Sequence, residues 1–277
     1  MDDRKPWSFK TGLDLTAPDS FDAEEADRLV TWYATTHGEG DLGLVPFVPF
    51  ALENLPSALK RYRAYVEEMY AEPRSDVVGL LAILYHYIRI GNGSGIVYEV
   101  IACRRAGLTK RQVLDAIEHA FLDCGPFGLN AVATAAAEYL ARWDAAEDEE
   151  DPLIWPEGWE VGGVGTDTRL DASIPAFLAR ERPRAADALR ARHAHLEGAR
   201  LPRPAFPTMH LVHEIVGGDA AGVRYYTERA LRAGASPGQL VDVAALAVLY
   251  TDVAALGVAG AALEETLLDA PMPSTDT

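Results

Sequence analysis

From Asp76 to Ile90 the chain reads DVVGLLAILYHYIRI, apolar on nearly every face. Such a run predicts an element buried between neighbours; periodicity alone fits a strand as well, but the length is that of a helix. The glycine cluster GNGSG at 91–95 ends it, and IVYEVIACRRAG then predicts a helix with Ile96, Val100 and Cys103 inward. Arg104 and Arg105 fall near its C-terminus, which Gly107 can close in the left-handed conformation. Thr109 with Gln112 fits a capping box opening TKRQVLDAIEHAFLDC, and Ser236 with Gln239 fits another, with Pro237 at the tolerated first position. Helices are also predicted over 52–72, over 183–198, in the small-residue strings NAVATAAAEYLARW and DVAALGVAGAALEETLL, and around FDAEEADRLVTWYATT. HGEGDLGLVPFVPF reads as irregular. The expected fold class is all-α.

The pattern repeats. Setting Gly107 on Gly234 lays residues 82–115 on 209–242 without a gap, and eleven of the 34 positions are identical, His86/His213 and Tyr98/Tyr225 among them. Chance would give about two, so the chain is expected to hold two copies of one helical unit. The expected organisation is an N-terminal arm (1–50), a first repeat (51–145), a linker (146–170), a second repeat (171–270) and a tail (271–277). The linker is marked by an acidic run followed by Pro, Trp and Gly, with Trp155 and Trp159 expected to cover apolar surface.

Composition narrows the partners. At 277 residues and 49% hydrophobic content the chain can bury a large core, and a net charge of -17 opposes nucleic-acid backbones and anionic lipid surfaces. No apolar run reaches the length of a membrane span, and MDDRKPWSFKTG lacks the features of an export signal, so no membrane partner and a cytosolic location are expected. Two distant cysteines, Cys103 and Cys124, build neither a disulfide framework nor a zinc knuckle.

A helix ending in RAG, then a capped helix and a small-residue segment, resembles the carboxymuconolactone decarboxylase and AhpD-like alkylhydroperoxidase family. The strings carrying the resemblance are YEVIACRRAGLTKRQVLDAIEHAF and YYTERALRAGASPGQLVDVAALAVLY. The resemblance implies an all-helical fold, two units in one chain, and a homo-oligomer, here a dimer or trimer of tandem chains. Redox members carry a CxxC pair and a histidine four residues on; the matching positions are Asn92, Gly95 and Glu99 in the first copy and Asp219, Gly222 and Tyr226 in the second. The glutamate that precedes that pair falls on Leu80 and Pro207. With no thiolate and no resolving thiol, thiol peroxidase chemistry is disfavoured.

What the resemblance leaves is acid/base chemistry at the same place, with no cofactor and no metal expected. Candidate catalytic residues are Glu99, His86, His210, His213 and Glu214; candidate substrate-binding residues are Tyr87, Asn92, Ser94, Asp219 and Tyr226. Among Ile96, Val97, Val100 and Ile101, the Glu99 carboxyl can be raised by desolvation into an acid or base, or else pair with an arginine such as Arg89. His86 and His213 survive in both copies, which fits helix packing as well as catalysis. His210 and His213 share one helix face without making the HExxH signature. Tyr225, Tyr226 and Tyr250 can offer hydroxyls to a bound carboxylate or phenol. The expected function is a lyase or decarboxylase-like enzyme acting on a small organic acid, lactone or related metabolite; the alternative is a non-catalytic ligand-binding or assembly module of the same fold.

Overall fold

The computed structural model describes residues 10–39, 42–69, 76–148, 155–156, 158–159, 161, 176–196 and 201–269. Most of the expected linker and the whole expected tail lie outside the described residues. The helices run α1 (Ala23–Thr36), α2 (Phe47–Asn54), α3 (Pro56–Met69), α4 (Asp76–Ile90), α5 (Gly93–Arg105), α6 (Lys110–Cys124), α7 (Pro126–Ala135) and α8 (Ala137–Arg142). Then follow α9 (Ala176–Glu181), α10 (Pro183–Leu196), α11 (Ala205–Gly217), α12 (Ala220–Arg232), α13 (Pro237–Ala247) and α14 (Val253–Leu268), with a 3-10 turn at Val248–Tyr250. Among the described residues only isolated bridges interrupt the helices, so the fold is all-α. No helix among them is long and apolar enough to cross a membrane.

Punctuation explains most boundaries. Thr109 and Ser236 each close a full capping box, giving the exposed N–H groups of the first turn a side-chain acceptor. Gly91, Gly107, Gly218 and Gly234 sit at φ +70°, +99°, +67° and +107°, where a side chain would be strained. These stops recur 127 residues apart. So do the bounds of α5 and α12, the ends of α4 and α11, and the starts of α6 and α13 and of α7 and α14.

Two expectations need correction. The single helix over 52–72 is two helices: Leu55 leaves helical geometry at φ -142°, ψ 45°, because the ring of Pro56 crowds the residue before it. The segment expected to be irregular is so up to Pro46 but ends in the first turn of α2, where Pro49 lacks an N–H at no cost in helical bonds.

α4 and α11, whose described side chains are mostly buried, pack against each other at the centre; α5, α6 and α7 surround the first and α12, α13 and α14 the second. One continuous apolar core joins both halves, and α1 and α2 enter it through Leu29, Trp32, Tyr33 and Val48. Trp159 is buried and donates from Nε1 to Gln239 Oε1 at 2.8 Å, holding the described part of the expected linker on α13. A buried ion pair, Lys60 Nζ to Glu25 Oε1 at 2.8 Å, ties α3 to α1.

α7 approaches α4 closely at Gly128, where an added Cβ would meet Ile88 Cγ2 and the Ile88 carbonyl oxygen, both at 2.6 Å. Backbone cannot swing aside as a side chain can. Gly128→Ala is expected to destabilise the protein by about 1–3 kcal/mol in denaturant unfolding, as overpacking does; an unchanged midpoint would show that the two helices separate freely.

Candidate active site

A cavity of about 90 Å³ lies beside α5, walled by α1, α3, α4 and α5 and bordered by Leu249 and Tyr250 from the turn after α13. Its floor is Glu99, one helical turn beyond Gly95. Glu99 is only 7% exposed, and its Oε2 has no hydrogen-bond partner. Burial alone pushes its carboxyl up to about 8, so the group is largely protonated at neutral pH. Arg89 does not pair with it: that guanidinium binds Asp123 instead.

Phenols ring the carboxyl. Tyr33 on α1, Tyr62 on α3 and Tyr87 on α4 all line the cavity, and burial raises each hydroxyl above its ordinary range. Tyr87 and Tyr250 are hydrogen-bonded, with ring centroids 5.8 Å apart and planes at 90°. His37 lies at the wall, its imidazole pushed down to about 3 by burial, with the Arg63 cation adding to the effect. Arg63, 3% exposed, stacks over Trp32 with its guanidinium carbon 4.2 Å from the ring centroid. Phe47, Tyr62, Leu249 and Tyr250 are exposed or half-buried and make the rim.

Gly95 gives Tyr87 its place: a Cβ there would stand 2.5 Å from Tyr87 Cδ2 and 2.8 Å from Asn92 Nδ2. Gly95→Ala is expected to push the Tyr87 ring out of register and destabilise by about 1–2 kcal/mol, read by thermal unfolding and by loss of Tyr87 contacts in NMR. Gly222→Ala, at the matching position, meets only the outer atoms of the Glu214 side chain and is expected to be milder. Equal effects would count against Tyr87 being wedged.

The histidines form a second cluster between α4 and α11. His86 and His213, matching residues of the two halves, approach each other with their Nδ1 atoms 3.0 Å apart. Beside them His210 Nε2 lies 2.8 Å from His119 Nε2, and His210 Nδ1 lies 3.0 Å from the Tyr85 hydroxyl. Tyr85 donates to Asp123 Oδ2 at 2.7 Å and accepts from Arg89 Nη1 at 3.0 Å. Tyr226 stacks on His210 at 4.2 Å between centroids. Burial is the main cause that lowers His86, His210 and His213, which keeps all three neutral near pH 7. Among the described residues no group of three or more His, Cys, Asp or Glu is arranged to hold a metal ion.

The expected site residues therefore divide. Glu99 and Tyr87 meet in the cavity; His86, His210, His213 and Tyr226 meet at the interface of the halves. Glu214 is half-buried beside Gly222, its carboxyl raised mainly by burial. Asn92 Oδ1 accepts from Gly95 N, and Asp219 Oδ1 from Ala221 N and Gly222 N, so both act as helix N-caps on the exposed side. Ser94 is exposed in the first turn of α5. A short acceptor at a helix start is drawn to the orphan N–H groups there, away from the cavity. Tyr33, His37, Tyr62 and Arg63 carry no motif that singles them out in the sequence; the density of aromatic residues in 32–62 is the one signal pointing to them.

A larger groove of about 710 Å³ opens at the corner of α12, α13 and α14. Its charges pair with each other, Arg224 with Glu265 and Arg232 with Glu228, leaving no desolvated acid or base. Glu99, whose buried Oε2 has no hydrogen-bond partner, lines the smaller cavity. No protein-family model matches the chain, and neither a curated protein nor a solved structure matches it.

Proposed function

We propose that the protein is a cofactor-independent acid/base enzyme of the lyase or decarboxylase type, acting on a small organic acid or lactone in the Glu99 cavity, and that it is a thiol-free tandem relative of the carboxymuconolactone decarboxylases. The observation that carries this reading is the orphaned Glu99 Oε2, a buried, protonated carboxyl facing empty volume among phenol hydroxyls. Burying a polar group with no partner is costly unless a ligand supplies one. In this mechanism Glu99 gives its proton to a carbonyl oxygen while a water molecule takes the proton from the adjacent carbon, or while carbon dioxide leaves that carbon, so that an enol forms. The Tyr87 and Tyr250 hydroxyls steady the developing enolate, and the carboxylate form of Glu99 takes the proton back when the carbon is reprotonated from solvent.

Exchange of carbon-bound hydrogen tests this whatever the product. Small keto acids, hydroxy acids and lactones incubated with the protein in D2O are expected to lose proton signal next to the carbonyl, and Glu99→Gln is expected to abolish the loss. Exchange that persists in Glu99→Gln removes the proposed acid.

The cavity's size favours a second reading. At about 90 Å³ it holds only about three waters and is well below the roughly 300 Å³ at which ordinary ligand sites begin. A ligand sensor with a small pocket has the same walls. Saturable binding without any exchange in D2O would select it.

A further inference from the structure

We infer that the Glu99 cavity takes an uncharged carbonyl compound the size of acetone or acetamide, whose oxygen accepts a hydrogen bond from the Glu99 carboxyl, and turns away anions and cations of the same shape. This narrows the acid/base reading to uncharged substrates and rests on that reading only for what happens after binding. Glu99 Oε2 is buried without a hydrogen-bond partner, on a side chain that lines the cavity. Arg63, the cation of the wall, is engaged elsewhere: it stacks on Trp32, bonds the Tyr33 hydroxyl and has the Glu67 carboxylate 3.9 Å from its Nη2. Other polar groups of the wall are engaged as well. His37 Nδ1 meets Thr36 Oγ1 at 2.7 Å, Tyr98 donates to the Leu44 carbonyl oxygen at 3.0 Å, and Tyr87 and Tyr250 bond each other.

Charge decides the class of ligand. A carboxylate would give up its hydration shell for a wall whose cation is already balanced, and an amidinium would need the Glu99 carboxyl to ionise among apolar and aromatic side chains. An uncharged carbonyl loses far less on leaving water. Burial keeps the Glu99 carboxyl largely protonated at neutral pH, so its O–H can meet the carbonyl oxygen and both partners are satisfied at once. Val66, Leu80 and Ile83 give the rest of such a molecule apolar contact. Room for about three waters admits it and leaves none for an aromatic ring.

Acetate, acetamide and acetamidinium share one shape and differ in charge, and acetone offers an acceptor alone. NMR titration of the full chain with these four tests the assignment. Acetone and acetamide are expected to bind at least about tenfold more tightly than acetate and acetamidinium, since each ion pays the cost of burying a charge. Glu99→Met is expected to weaken acetone by about tenfold, whereas Glu99→Gln, which keeps an N–H donor, holds it within about threefold while abolishing exchange in D2O. Should Glu99→Met fail to fold, the ranking of the three acetyl isosteres on the unaltered protein still decides. Acetate or acetamidinium binding as tightly as acetamide, no binding of any of the four, or acetone binding unchanged in Glu99→Met overturns the assignment, even where Glu99-dependent exchange persists. Selective binding of the uncharged pair with no exchange leaves the assignment standing and overturns the acid/base reading.

Discussion

Glu99→Gln is expected to make the protein more stable and inactive at once. The folded carboxyl titrates near 8 against an ordinary value of 4.5, so the folded state holds a proton that the unfolded chain releases. Sign follows from that difference: stability is greatest below about pH 4.5 and declines as pH rises through 8. At pH 7 the penalty is on the order of 3 kcal/mol, and an uncharged isostere avoids it. For a chain of this length the gain corresponds to a midpoint roughly 5 °C higher at pH 7, growing toward pH 8.5 and vanishing near pH 4.5. Turnover of a responsive substrate is expected to fall by about 10²–10⁴, the usual contribution of a positioned acid or base. Melting curves of the two proteins from pH 4.5 to 8.5 give the stability arm. If the curves run parallel at every pH, Glu99 is ionised in the fold and the proposed acid does not exist.

Acidification is expected to loosen the α4–α11 contact through its histidines. His213 titrates near 4 in the fold against 6.5 in the unfolded chain, so its contribution is intact above 6.5 and is lost as pH falls toward 4. Protonating both members of the His86–His213 contact would set two cations 3.0 Å apart with Arg89 nearby, while Asp123 acts the other way on His213. The loss assigned to His213 is on the order of 2 kcal/mol after allowing for its partial exposure. Carboxylates paired in the fold, such as Glu25 on Lys60, add their own acid sensitivity, so the wild-type curve alone does not isolate the effect. His213→Gln keeps a donor toward His86 and cannot become a cation. Between pH 7 and 4 it is expected to lose about 2 kcal/mol less than wild type in urea unfolding; identical losses would show that the histidine pair is not what acid attacks.

Both effects trace to features of unequal legibility. The buried α4, the capped starts of α6 and α13 and the glycine stops are readable in the sequence, because a capping hydroxyl or a left-handed turn acts over three or four residues. Glu99 also stands out, as a lone carboxyl among Ile96, Val97, Val100 and Ile101. Asn92, Ser94 and Asp219, expected at the site, instead serve or flank the helix caps, since a side chain's nearest unpaired donor wins over a distant cavity.

What the sequence determined by itself was local and periodic: all-α structure, the helix starts and stops, and a recurrence at 127 residues in which His86 and His213 occupy matching places. Only the tertiary structure decided that these two histidines touch, that Tyr250 from the second half meets Tyr87 from the first, and that Arg63 from α3 shares a cavity with Glu99. The physical reason is range. Capping and amphipathic patterning are settled within a turn or two of helix, whereas a cavity is the volume left where helices distant in sequence pack, and its chemistry is set by what that packing denies to water.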